Sequence, residues 1–93
     1  MSILEELRAI LRDDVSDPEL YGARISAVVL SPDYRSARVH FVVPLGRSRA
    51  ACERAFERAA PFLRGRLSEA LELKRTPDLR FVFEAEADLG DEP

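Results

Sequence analysis

The feature that most constrains this chain is a change of hydrophobic period late in the sequence. After Pro61, apolar residues recur at Leu63, Leu67, Ala70 and Leu71, the three-and-four spacing of one helix face. Pro77 breaks that pattern. Leu79, Phe81 and Phe83 then alternate with Arg80, Val82 and Glu84, which is the period of a strand. A helix that gives way so quickly to a strand packs its apolar face on the sheet that the strand joins, a two-layer α+β arrangement.

The upstream half supplies the rest of those layers. Ile3, Leu4, Leu7, Ile10 and Leu11 recur at helical spacing, and Ser2 with Glu5 three residues on is a capping-box pattern. Asp17-Pro18 ends this helix, because the residue before a proline is pushed out of the helical region. Arg24 to Leu30 reads as a strand, with Ile25, Ala27 and Val29 on one face and Ser26, Val28 and Leu30 on the other. Ser31-Pro32-Asp33 is a turn. From Arg35 to Val43, Ala37, Val39, Phe41 and Val43 point one way and Arg38, His40 and Val42 the other, so the two runs make a hairpin. Residues 48–60 read as a helix presenting Cys52, Ala55, Phe56, Ala59 and Ala60. Pro61 suits the first position of a new helix, which predicts two helices meeting at a bend at Ala60/Pro61. The predicted order is α-β-β-α-α-β in one domain over residues 1–93, with a frayed acidic tail from about residue 86. One sheet face is then covered by helices, and the other, carrying Arg38, His40, Arg80 and Glu84, meets solvent or a partner.

Ninety-three residues allow one small two-layer core. No apolar run reaches the length of a membrane span, and the N-terminus has none of the parts of a signal peptide. Cys52 is alone, so no internal disulfide forms, a cytoplasmic location fits, and a small packing residue is its simplest reading. The net charge of −3 is unevenly placed: −4 over residues 1–22, +2 over 23–46, +4 over 47–75 and −5 over 76–93. Basic residues therefore gather in the middle of the chain. Thirteen of the fourteen are Arg, whose planar fork suits phosphate, while Asn and Gln, which commonly read base edges, are absent. Any RNA contact would follow backbone and shape more than sequence.

Catalytic patterns are missing. His40 is the sole histidine and has no triad around it; Asp13, Asp14 and Asp17 lack the spacing and glycine of a calcium loop. There is no glycine-rich phosphate loop, CxxC or HExxH. No enzyme activity, cofactor, metal or small-molecule substrate is expected. The candidate contacts for an RNA backbone are Arg35 and Arg38 at the start of the second strand, Arg54, Arg58, Arg64 and Arg66 flanking the bend, and Lys74 and Arg75 at the end of its second helix. Lys74 and Arg75 would also complement the negative end of that helix dipole.

In order and spacing, Leu7 to Leu20 (ending Asp17-Pro18-Glu19-Leu20), Leu30 to Val39 (Asp33-x-Arg35-x-Ala37-x-Val39) and Arg58 to Phe83 resemble ribosome-binding factor A, a bacterial family of the KH-like class. The resemblance implies a type II KH-like fold and a non-catalytic monomer. It also implies binding to the small (30S) ribosomal subunit and its 16S rRNA during late maturation, in the cytoplasm and away from membranes. Arg58, Arg64 and Lys74 match basic positions of the family. Like the family, the chain lacks the GxxG loop of ordinary KH domains, but it has Ala59-Ala60-Pro61 where the family bends at an Ala-x-Gly step, and Glu19 where a basic residue is usual. The residues also allow a protein-interaction module that keeps the fold and binds no RNA. A small acylphosphatase-type enzyme is disfavoured, because it needs a different element order and an Asn that this chain lacks.

Overall fold

The computed structural model describes residues 2–88. Helix α1 covers Ile3–Asp14, a single 3-10 turn Pro18–Leu20, strand β1 Arg24–Leu30, strand β2 Ser36–Pro44, helix α2 Arg49–Leu71 and strand β3 Asp78–Ala87. The strands lie in the order β1-β2-β3, β1 antiparallel and β3 parallel to β2. The parallel pairing follows from connectivity. β2 and β3 are joined by the whole of α2, and such a crossover returns the chain in the same direction.

Local chemistry sets the element ends. Ser2 Oγ accepts from the Glu5 N–H at 3.1 Å and Ser48 Oγ from the Ala51 N–H at 3.1 Å, capping α1 and α2. Asp17 accepts from the Glu19 N–H at 3.0 Å and opens the 3-10 turn. Between β1 and β2, Asp33 Oδ1 accepts from the Arg35 N–H at 3.0 Å and the Ser31 hydroxyl at 2.7 Å, which fixes the turn and holds its carboxyl below the usual carboxylate range.

The core lies between the helices and one sheet face. Leu7 and Ile10 of α1, Leu20 of the 3-10 turn, Ala23 before β1, Ile25, Val39, Phe41 and Val43 of the sheet, and Cys52, Ala55, Phe56, Leu63 and Leu67 of α2 form its buried cluster. Phe56 anchors it, with its ring 4.9 Å from that of Phe41 and stacked 5.0 Å from that of Phe81. Cys52 is buried here, its Sγ 3.3 Å from the Glu19 carbonyl, and burial pushes its thiol pKa up, consistent with a packing role.

Four expectations are corrected. The helix pair is one helix: α2 runs through Pro61 without a break. Pro61 costs about 3 kcal/mol in a helix interior, through its missing N–H and its clash with the carbonyl four residues back. Leu63 and Leu67 beyond it are fully buried in the same cluster as Cys52 and Phe56 before it. Each large buried side chain stabilises by about 1.5–3 kcal/mol, so burying both halves together outweighs the proline. Pro61 itself sits on the exposed side of the helix.

In β1 the alternation slips by one. Ile25 pairs with Phe41 and Ala27 with His40, leaving Ser26 in a bulge. Core-facing residues are therefore Ile25 and Val28 opposite buried Val39, while Ala27 and Val29 turn outward and Leu30, opposite Ala37 at the end of the strand, stays exposed. Ser26 Oγ donates to the His40 carbonyl at 3.3 Å, and Arg8 Nε of α1 donates to the Ile25 carbonyl at 2.8 Å, so side chains serve the backbone around the irregularity.

The tail does not fray at residue 86. Glu86 and Ala87 pair with Val43 and Pro44, and the Leu45 N–H donates to the Ala87 carbonyl at 3.0 Å. The remainder of the expected tail, residues 89–93, lies outside the described residues. Finally, α2 closes at Leu71, with Glu72 in the left-handed region at φ 52° and the Leu73 N–H bonded to the Ser68 carbonyl. Lys74 and Arg75 follow in the connection to β3 and are not part of the last helical turn.

Candidate nucleic-acid interface

Cations suited to a polyanion divide into those the fold uses and those it leaves open. Arg64 is used: its Nε donates to the Pro77 carbonyl at 3.2 Å and its Nη2 to the Thr76 carbonyl at 3.1 Å, with Asp78 Oδ1 3.4 Å away. It therefore ties the connection between α2 and β3 onto the helix. Arg58 Nη2 meets Asp17 Oδ2 at 3.1 Å and Glu19 Oε2 at 3.9 Å, and Arg66 Nη2 meets Asp14 Oδ2 at 3.1 Å. These pairs clamp the end of α1 and the 3-10 turn to α2. The Asp17 carboxyl is held below its usual range, first by the Glu19 N–H and then by Arg58. Acidic residues at the C-terminal end of α1 oppose its dipole, and the arginines across from them offset that cost. As exposed pairs each adds little to stability. Their effect here is to occupy guanidinium groups that sequence alone presents as available.

The side chains of Arg54, Lys74, Arg75 and Arg38 make no hydrogen bond or ion pair among the described residues. Arg35 has only Asp33 Oδ2 at 4.0 Å. Arg54 lies on the exposed side of α2, as Pro61 does, Lys74 and Arg75 lie just past its end, and Arg38 lies on the sheet face away from the helices. The sequence-derived set is thus not one patch.

Two basic features escape that set. Arg80 lies beside Arg38 in the parallel ladder. The alternation of β3 already places Arg80 outward, but its neighbour depends on a register that no local pattern encodes. The second is a groove of about 600 Å³ between α1 and the start of β1, lined by Arg8, Arg12, Tyr21 and Arg24, although Arg12 is already paired with Asp13 at 2.9 Å and Arg8 donates to the Ile25 carbonyl. Residues 1–22 carry net −4, yet folding turns Arg8 and Arg12 to this groove, while Asp14 and Asp17 turn to α2.

His40 lies on the outer sheet face, its Nδ1 3.8 Å from Glu84 Oε1. No group of three or more His, Cys, Asp or Glu side chains able to hold a metal occurs among the described residues, and none of their helices is long and apolar enough to cross a membrane.

Over the described residues, fold and surface define a small α+β domain of three strands and two α-helices, with Arg38 and Arg80 side by side on the sheet face away from the helices. The sequence model of the family "Ribosome-binding factor A" matches residues 1–92, and the chain belongs to that family. It is similar to ribosome-binding factor A of Ruthia magnifica, 36% identical over 88 residues that cover 95% of this chain and 78% of the relative. Its fold is similar to the crystal structure of ribosome-binding factor A from Thermus thermophilus, with TM-score 0.79 and 26% identity over 87% of this chain and 86% of that one. It is also similar to the Thermus thermophilus coordinates fitted into the cryo-EM map of a 30S–RbfA complex, with TM-score 0.71 and 26% identity over 86% of this chain and 85% of that one.

Proposed function

We propose that this protein binds the small ribosomal subunit through its 16S rRNA late in subunit maturation, as a cytoplasmic monomer that catalyses no reaction. The observation that carries the reading is the likeness of its fold, at TM-score 0.71, to a relative fitted into a map of a 30S complex. Family membership over residues 1–92 supports it, as do the unpartnered cations Arg38, Arg54, Lys74 and Arg75 on a chain whose net charge is −3. Such cations contact backbone phosphate without reading sequence. The scaffold is read as KH-like of type II, with the helix pair fused into α2 and the contacts made by cations instead of a GxxG loop.

The test is co-sedimentation of the full chain with immature and mature small subunits at low and moderate salt. Binding that favours the immature particle and weakens steeply with salt is expected. The triple variant Arg54→Glu, Lys74→Glu, Arg75→Glu should lose it. Arg58 and Arg64 are poor choices for reversal, because their ties to Asp17 and to the Pro77 carbonyl would be broken as well. Failure of the wild type to bind either particle at low salt would refute the reading.

A further inference from the structure

Among the described residues, nothing covers the sheet face away from the helices. Across β1, β2 and β3 it presents the row Val29, Arg38, Arg80 and beside it the row Ala27, His40, Val82. The first row is unusual. The parallel register sets Arg38 and Arg80 directly opposite, on strands about 4.8 Å apart, and like charges so placed destabilise a sheet. Neither guanidinium has a hydrogen-bond or ion-pair partner among the described residues. The nearest acid in β3, Asp78, lies two residues before Arg80 and on the same face, but its carboxylate meets Arg64 at 3.4 Å. Arg64 thus takes up the carboxylate that could have neutralised Arg80. Both arginines line a depression of about 300 Å³ with Ser31, Ser36 and Val29.

We propose that Arg38 and Arg80 together form a two-armed site for one RNA backbone phosphate, so that the open sheet face is itself a docking surface of the protein. Charge complementarity selects the occupant. Two planar forks side by side match the oxygens of a single phosphodiester, and the anion removes the repulsion between them. The partly exposed Ala27, Val82 and Val29 beside the site give the flanking ribose an apolar bed. This rests on the ribosome-binding reading and adds to it a surface on the opposite side of the sheet from α2.

The experiment measures binding of the full chain to small subunits and to protein-free 16S rRNA across a salt series, for the wild type, Arg38→Ala, Arg80→Ala and the double variant. Each single variant should bind about tenfold more weakly to both targets, as expected for loss of a charge-assisted contact. In the double variant the slope of log affinity against log salt should fall by about 0.7–0.9, one phosphate's worth, and by less in either single variant, where one arm remains on the phosphate. The double variant should lose less than the two single losses combined, because both arms hold one group. Melting temperatures should stay level or rise, since a like-charge contact is removed. Wild-type binding with unchanged affinity and slope in the variants would overturn the site and leave the ribosome-binding reading standing. Loss on the subunit but not on protein-free rRNA would overturn the phosphate assignment in favour of a ribosomal-protein carboxylate. Absence of wild-type binding to both targets would remove the reading and the site together.

Discussion

Pro61 offers the sharpest test of how this fold is held. It sits within a 23-residue helix, on the exposed side, with Leu63 and Leu67 fully buried beyond it. Replacing it by Ala restores an N–H for the Glu57 carbonyl and removes the ring clash, worth about 3 kcal/mol in a helix interior. Proline also stiffens the unfolded chain, and losing that costs about 0.4–1 kcal/mol. Little packing is lost, because Pro61 faces out. The balance is a stabilisation of about 2 kcal/mol for Pro61→Ala. In a domain of this size that raises the melting temperature by about 8–16 °C. Urea denaturation of both proteins, with unchanged m, measures it directly. A neutral or destabilising result would refute the reasoning. It would mean that α2 already relieves the proline at no cost, and that the burial of its two halves is not what carries the helix through it.

Two further outcomes follow from the turns. Gly22 and Gly46 both have φ near +80°, but a Cβ at Gly22 would lie 3.1 Å from Pro44 Cγ, whereas one at Gly46 meets nothing within 4 Å. Both Ala variants should lose about 1–2 kcal/mol from the left-handed conformation, and Gly22→Ala should lose measurably more; equal losses in urea denaturation would contradict this account of the Gly22 contact. The depressed Asp33 carboxyl, held first by the Arg35 N–H and then by the Ser31 hydroxyl, contributes stability above the unfolded carboxyl pKa of about 3.9 and loses it as pH falls through the lower folded value. Asp33→Ala should therefore be less stable than the wild type at pH 7, with the gap closing below about pH 4; a gap independent of pH would show that the carboxylate's charge plays no part in the turn.

What the sequence determined was local. The three-and-four recurrence of Leu7, Ile10, Cys52 and Phe56 and the alternation of Val39, Phe41, Phe81 and Phe83 each mark a buried face from a short window, because the period of the backbone is itself a local property. The cap at Ser2 was legible for the same reason. Tertiary structure decided everything that depends on what lies across from a residue. Continuity of α2 through Pro61 came from a shared core, and the outward turn of Val29 came from a bulge at Ser26 that only a paired strand can have. Arg58, Arg64 and Arg66 read as free cations until Asp17, the Pro77 carbonyl and Asp14 were brought to them across 41, 13 and 52 positions of the chain. The pairing of Arg38 with Arg80 arises the same way. Long-range register and charge partnership are set by how the whole chain buries its apolar faces, and no local pattern shows which partner a residue will meet.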